Sequence, residues 1–372
     1  MLSGLKLACI RAWMRHQASP ARTPEKIAPV QGVQRIAIWQ FGGVGDMLLA
    51  TPVIRALEKT YPDAEIHIWC SDPPFAEFLN RFSQVKSIHA FPVYGFDSRT
   101  LMRGSVRQTL RRLGDAMATQ KPDMLVNLHV PALLDWWATE WWMIRRISPT
   151  HSLGFDPRFM GGESMLDVSL NAAERDDIHY TALYGRLLDR AGIACEEHTE
   201  FPLSDAECEK AAVLVEEFAP QAKKLVCMHI GARRLKVEGK MWPLEFFAGL
   251  ATKLVAEGYV PLLIGVASEG EMAEVLCGKV SACRNLTGRT SLGEMAALIS
   301  LADGFIGHDS GPFHVAVAVA TPCVAISGRP DAEPEYLDYR RSDVAVLTAD
   351  VPEAIAVDVV FDAALRVFAH GS

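Results

Sequence analysis

Gly307-His308-Asp309-Ser310-Gly311-Pro312-Phe313-His314 is a glycine-bearing turn between two apolar runs. Gly304-Phe305-Ile306 before it reads as the end of a short buried strand. Val315-Ala316-Val317-Ala318-Val319-Ala320 after it is small and apolar, and Thr321-Pro322 leads into a second strand-like run, Cys323-Val324-Ala325-Ile326. A strand, a turn with Asp and Ser, and a helix start make an anion site in α/β proteins. The first turn of a helix carries unpaired N–H groups and roughly half a positive charge. Asp309 repels a phosphate, so it reads as an acceptor for hydroxyls or as a support of the turn. A nucleotide sugar offers both hydroxyls and a diphosphate.

The alternation extends in both directions. Residues 225–230, 260–264, 304–306 and 323–326 read as strands, and residues 243–257, 269–280, 292–301 and 312–320 as helices. An earlier series opens with a strand at 35–40, a glycine loop at 41–46 and a helix at 47–60 ended by Tyr61-Pro62-Asp63. Further strands fall at 65–69, 85–91 and 124–128. Strands alternating with helices mean βαβ units and a parallel sheet. Two such series, each opening with a strand and a glycine-bearing loop, predict twin Rossmann-like domains facing a cleft. The sequence holds no short-period repeat and no low-complexity tract.

Bulk properties narrow the class. At 372 residues the chain exceeds one ordinary core, and two domains are expected. Hydrophobic residues at 49% and charged residues at 22% fit a soluble globular protein. A formal net charge of -8 gives no support to nucleic acid as a partner. The eight cysteines stand singly with no CxxC, so neither a zinc site nor a disulfide framework is written here, and a reducing cytosol is expected. No apolar run approaches the ~20 residues of a membrane-spanning helix. Lys6 and Arg11 interrupt the start of the chain, against a secretory signal.

Gly42-Gly43-Val44-Gly45-Asp46 lies between a strand and a helix. The dinucleotide fingerprint G-x-G-x-x-G fails here, because its third glycine is missing and Asp46 would repel a pyrophosphate. Asp72, the acid after the second strand, lies farther on than the ~20 residues expected. An NAD-dependent oxidoreductase is therefore the weakest reading. A carboxylate on a strand-to-helix turn facing a cleft is placed to take a proton from an attacking hydroxyl. The bland alternative is Asp46 as a helix N-cap.

Gly45-Asp46-Met47-Leu48-Leu49-Ala50-Thr51-Pro52 resembles the G-D-x-x-x-x-T-P signature of glycosyltransferase family 9, the bacterial ADP-heptose:lipopolysaccharide heptosyltransferases. Residues Gly307 to His314 resemble that family's D-S/T-G-x-x-H segment. Gly231-Ala232-Arg233 followed by Lys240-Met241-Trp242-Pro243 is similar to its G-A/T-x-R…K-x-W-P run. Gly265 through Glu269-Gly270-Glu271 resembles its G-G-x-x-E-x-E turn, and Leu286-Thr287-Gly288-Arg289-Thr290-Ser291-Leu292 its L-x-G-x-x-S/T-L segment. The five matches run in family order over residues 33–345.

The resemblance implies an α/β protein of GT-B fold, two Rossmann-like domains with parallel sheets facing a central cleft. It divides the chain into an N-terminal extension and linker at 1–32 and an acceptor-side domain at 33–200. A nucleotide-sugar-binding domain follows at 201–345, then a C-terminal helical segment at 346–372. It implies an inverting, metal-independent transfer of heptose from ADP-heptose to a lipopolysaccharide core acceptor of the Kdo-lipid A type, with no cofactor. The sequence contains no Asp-x-Asp to hold a divalent ion under a diphosphate. By position Asp46 would be the general base, and Lys240 would neutralise the diphosphate as charge grows on it. Glu269 would accept hydrogen bonds from the ribose hydroxyls. Asp309, Ser310, Gly311 and His314 would hold sugar and diphosphate, Gly231 and Ala232 would line the phosphates, and Thr290 would wall the base. For His314 the alternative is packing against the sheet, and for Glu269 it is complementing a helix dipole.

Departures from the family pattern leave alternatives open. The spacing from Gly231-Ala232 to Lys240 is longer than usual, and Arg233 or Arg234 could take the place of Lys240 at the diphosphate. His308 stands where a small polar residue is usual, a change that bears on donor preference. The same scaffold with another nucleotide sugar or a non-lipopolysaccharide acceptor is the nearest alternative. A non-catalytic nucleotide-sugar-binding relative is another, although a pure binder has no need of Asp46 together with Lys240.

Three further features concern the acceptor and its surroundings. Arg99, Arg103, Arg107 and Arg111, with Arg112, recur at four-residue spacing on a predicted helix, a row suited to an anionic lipid-linked saccharide or to a solvated face. Trp136-Trp137 and Trp141-Trp142 read as core or interdomain packing rather than a membrane-interface belt. Residues 1–17 contain no acid and carry Lys6, Arg11, Arg15 and His16 away from an apolar face of Leu2, Leu5, Cys9 and Trp13. Such a helix would tether the enzyme peripherally to the cytoplasmic leaflet of the inner membrane; a frayed or docked terminus is the alternative.

Overall fold

The computed structural model describes residues 19–20, 28–91, 104–130, 134–157, 163–164, 166–172, 178–231, 241–330 and 333–369. The chain forms two units, Met1–His198 and Thr199–Ser372. The strands of the first are β1 (Arg35–Trp39), β2 (Glu65–Cys70), β3 (Val85–Ala90), β4 (Met124–Asn127), β5 (His151–Asp156) and β6 (Val168–Asn171). Those of the second are β7 (Lys224–His229), β8 (Tyr259–Leu263), β9 (Arg284–Asn285), β10 (Gly304–His308), β11 (Cys323–Ser327) and β12 (Val344–Thr348). Each set makes one parallel sheet, in the order β3-β2-β1-β4-β5-β6 and β9-β8-β7-β10-β11-β12. The two orders are the same 3-2-1-4-5-6 pattern, that of a dinucleotide-type Rossmann sheet. Ser19–Pro20 pairs antiparallel with Glu163–Ser164 as a separate two-residue ladder.

Central strands are apolar on both faces because helices cover both sides of a parallel sheet. Four of the five β1 residues and all of β10 are buried. The helices of the first unit are α1 (Val44–Leu49), α2 (Thr51–Thr60), α3 (Gly104–Thr119), α4 (Leu134–Ile147) and α5 (Tyr180–Arg190). Those of the second are α6 (Asp205–Phe218), α7 (Leu244–Ala256), α8 (Gly270–Lys279), α9 (Leu292–Ser300), α10 (Gly311–Ala318) and α11 (Val357–Phe368). Ala37, Trp39, Leu125 and Met143 share a core in the first unit, and Met228, Leu263, Ile306 and Ile326 in the second.

The expected helix at 47–60 is two helices. Pro52 stands in the first turn of α2, where its missing N–H costs nothing, but in a continuous helix its ring would strike the carbonyl four residues back. Thr51 Oγ1 instead donates to that Leu48 carbonyl at 2.7 Å. Strands β5, β6, β9 and β12 and helices α4, α5 and α6 are not among the elements the sequence predicts. β12 and α11 join the second unit, where Val360, Ala363, Ala364, Val367 and Phe368 enter its core. Among the described residues no helix is long and apolar enough to cross a membrane. The basic segment at 1–17 lies outside the described residues.

Candidate functional site

The first candidate region lies at the C-terminal edge of the first sheet. β1 ends at Trp39, and Gln40-Phe41-Gly42-Gly43 turns the chain into α1. Gly42 has φ +123°, a backbone region that side chains strongly disfavour, and a methyl there would overlap the Asp46 carboxylate. Gly43 caps α1, and its N–H donates to Asp46 Oδ2 at 2.7 Å. Asp46 is thus the third helical residue reaching back to the cap, not the N-cap itself. Gln40 Nε2 donates to the Asp46 carbonyl at 2.7 Å and to Tyr184 Oη at 3.2 Å, fixing α1 to α5.

A buried ionic group missed at the sequence level stands on the neighbouring strand. Asn127 lies opposite Trp39, and the Leu128 N–H donates to the Trp39 carbonyl at 2.9 Å. His129 follows, its ring edge-on to Phe41 at 5.6 Å between centroids. Its Nδ1 meets Glu140 Oε1, while Asn127 Nδ2 donates to Glu140 Oε2 at 2.8 Å. The Glu140 side chain is 2% exposed and that of His129 12%. Burial alone would lower the His129 pKa, but the Glu140 charge and hydrogen bond and the Asp46 charge outweigh it and hold the imidazole above its ordinary value. Removing one partner of such a buried pair costs about 3–5 kcal/mol. The signal in the sequence was an Asn-x-His at the end of an apolar strand, and a lone acid between two Trp pairs.

The second region lies at the matching edge of the second sheet. Glu269, 4% exposed, precedes α8 and accepts the Val266 N–H at 3.0 Å. A methyl on Gly231 would overlap its Oε1, and one on Gly265, at φ +148°, its Oε2. His229 at the end of β7 places Nε2 at 3.4 Å from Glu269 Oε2 and Nδ1 at 3.2 Å from Ser310 Oγ. Ser310 caps α10, with Asp309 before it and Gly311 after it. Gly288 N–H donates to the Gly265 carbonyl at 2.8 Å, which brings the loop carrying the half-buried Thr290 alongside. Gly231, Glu269 and Ser310 therefore converge, with Asp309 and Gly311 flanking them. Ala232, Arg233, Arg234 and Lys240 lie outside the described residues.

Two further histidines of this unit are buried. His308 is 1% exposed. The Trp242 N–H donates to its Nε2 at 2.8 Å, so its Nδ1 carries the proton and donates to the Gly231 carbonyl at 3.0 Å. It ties Gly231 to Trp242, and burial pushes its pKa down to about 4. His314 lies a turn inside α10, buried, with Nδ1 at 2.7 Å from Tyr339 Oη. Desolvation lowers its pKa to about 4 as well, so it is a neutral ring packed against Phe313 and Tyr339.

Arg107, Arg111 and Arg112 are exposed along α3, while Arg99 and Arg103 lie outside the described residues. Trp141 is buried and Trp142 packs on the first core. The seven described cysteines are free thiols. Among the described residues no group of three or more His, Cys, Asp or Glu is placed to hold a metal ion.

The sequence model of glycosyltransferase family 9 (heptosyltransferase) matches residues 143–352. The chain belongs to that family. This family 9 glycosyltransferase is 28% identical over 327 residues to lipopolysaccharide heptosyltransferase 2 of Salmonella typhimurium, covering 82% of this chain and 86% of the relative. It is 26% identical over 303 residues to lipopolysaccharide heptosyltransferase 3 of Escherichia coli, covering 77% and 80%. A solved family 9 glycosyltransferase from Veillonella parvula superimposes with a TM-score of 0.74 at 19% identity, over 92% of this chain and 100% of the other. The E. coli ADP-heptose heptosyltransferase II superimposes with a TM-score of 0.66 at 19% identity, over 91% and 99%. These likenesses establish the GT-B fold class, as two Rossmann-like units.

Proposed function

We propose that this glycosyltransferase moves heptose from ADP-heptose onto a lipopolysaccharide core acceptor of the Kdo-lipid A type, with inversion and without a metal. Asp46 carries the reading: a carboxylate held by the Gly43 N–H on a strand-to-helix turn, in a chain whose relatives are named for heptose transfer. An E. coli heptosyltransferase solved with ADP-2-deoxy-2-fluoro heptose has the same fold, with a TM-score of 0.62 at 14% identity, which supports a nucleotide-sugar donor. In the proposed step the acceptor hydroxyl gives its proton to Asp46 as its oxygen bonds the anomeric carbon. The bond from that carbon to the diphosphate breaks, and its electron pair leaves with ADP. A cation of the 233–240 segment, Lys240 or a neighbouring arginine, meets the growing charge. Glu269, Gly231, Thr290, Asp309, Ser310 and Gly311 hold the donor, and Arg107 and Arg111 serve an anionic acceptor. His314 is left to packing.

Asp46→Asn tests the reading. Donor binding, read by the rise in melting temperature with ADP-heptose, stays near wild type. Turnover falls by roughly 10²–10⁴, the loss of a general base. Wild-type turnover in the variant would remove Asp46 from the chemistry, and a melting rise with UDP-, GDP- or dTDP-sugars but not ADP-heptose would replace the donor. Chelator leaves the rate unchanged; loss with EDTA and recovery with a divalent ion would sink the metal-free step.

A further inference from the structure

We propose that the buried Glu140–His129 pair is a positioning device for Asp46, presenting the positive end of an ion pair to the carboxylate so that it stays ionised and oriented as the base. The inference rests on the reading of Asp46 as the base. His129 itself need not touch the acceptor.

Three observations carry it. Glu140 is almost wholly buried and both its oxygens are engaged, one by His129 and one by Asn127. A carboxylate so far from water is retained where its charge is used or firmly paired. His129 is the group that pairs it, and the His129 backbone N–H donates to Asn127 Oδ1 at 3.1 Å, which locks the trio. The second observation is position. The ring of His129 packs on Phe41, the residue directly before the Gly42-Gly43 turn that aims Asp46. The third is electrical: the Asp46 charge acts on His129 in the same sense as Glu140 does. Glu140, His129 and Asp46 thus form a carboxylate, cation, carboxylate series along one sheet edge. Such a series lowers the energy of the outer carboxylate as an anion, whereas a neutral ring in the middle would not.

Other ionisable groups at this edge are Asp72 after β2, Asp156 at the end of β5 and Tyr184 of α5. Tyr184 reaches α1 through Gln40. Asp72 and Asp156 belong to the strands flanking β1 and β4, and their charges are common to every variant below. They shift all profiles together and leave the differences between them intact.

The test compares full-length wild type, His129→Gln, Glu140→Gln and Asp46→Asn. In kcat/KM against pH, the acid limb of both pair variants moves upward by about one pH unit, because an opposite charge beside a carboxylate holds its titration down by that much or more. Either variant suffices if the other fails to fold. A second measurement needs no turnover. In protein labelled with ¹³C-histidine, the His129 signal, assigned by its loss in His129→Gln, keeps its proton to higher pH in wild type than in Asp46→Asn or Glu140→Gln. An unmoved acid limb in both pair variants with an inactive Asp46→Asn overturns the proposal and spares the base. A His129 titration indifferent to Asp46→Asn overturns it equally. Full turnover by Asp46→Asn overturns the base reading, and the proposal with it.

Discussion

Glu269 shows how two glycines far apart in sequence serve one side chain. Gly231 lies two residues past β7 and Gly265 follows β8, and each lacks the one carbon that would collide with the Glu269 carboxylate. Gly265 also sits at φ +148°, which adds a backbone cost of about 1–3 kcal/mol for any other residue. Gly231→Ala should therefore lower the melting temperature and abolish the ADP-heptose stabilisation by displacing Glu269. Combining it with Glu269→Ala removes the collision, so the two losses of stability should fall well short of adding. Full additivity by denaturant titration would mean the methyl is harmless where it stands. Motif reading found these residues by their order, but not the reason for the glycines, because the collision is between residues 38 positions apart. His229 and the Glu140–His129 pair escaped for the same cause: single polar residues at strand ends show their purpose only once neighbouring strands bring partners to them.

At the level of elements, the strand, turn and helix starts were the legible part. β1, β2, β4, β7, β8, β10 and β11 fall where apolar runs place them, since burial on both faces demands continuous apolar residues. β6, Val168–Asn171, is a half-buried edge strand in which only Leu170 is buried, so its run is too weak to read. β12 is similar, with Ala345 its one buried residue. The C-terminal segment read as a separate helical piece, yet α11 completes the second core. Phe368 lies over Gly304 of β10, where any side chain would overlap its ring, and 5.7 Å from the Tyr259 ring. Trp242 Nε1 donates to the Ile355 carbonyl at 2.9 Å just ahead of the helix. Phe368→Ala should cost about 3–5 kcal/mol by transfer and cavity terms. Val359→Ala, on the half-exposed face of the same helix, should stay within about 0.5 kcal/mol. Equal, small losses in chemical denaturation would show that α11 is not part of this core.

Over the whole molecule, the two units are built alike, and their buried histidines answer acid in both senses. In the second unit His308 and His314 are buried as neutral rings with pKa values of about 4, against about 6.5 in an unfolded chain. Between those values the unfolded state binds protons that the folded state refuses. The stability they allow is therefore complete above about pH 6.5, falls as the pH drops, and levels off below about pH 4. A difference of roughly 2.5 pH units corresponds to about 3 kcal/mol for each histidine. His129 in the first unit is held above its ordinary value, so its contribution is complete below about pH 6.5 and is lost as the pH rises through its folded-state titration. Calorimetric unfolding at pH 7.5 and pH 5 should accordingly show a loss of stability at the lower pH to which His308 and His314 contribute. His314→Phe keeps an aromatic ring among Phe313 and Tyr339 while removing one titrating group. Whatever its offset at neutral pH, its stability should fall less steeply with acid than that of wild type, by roughly half of the two-histidine slope. A slope identical to wild type would mean that His314 takes up its proton equally in the folded and unfolded states, and that burial does not hold it neutral.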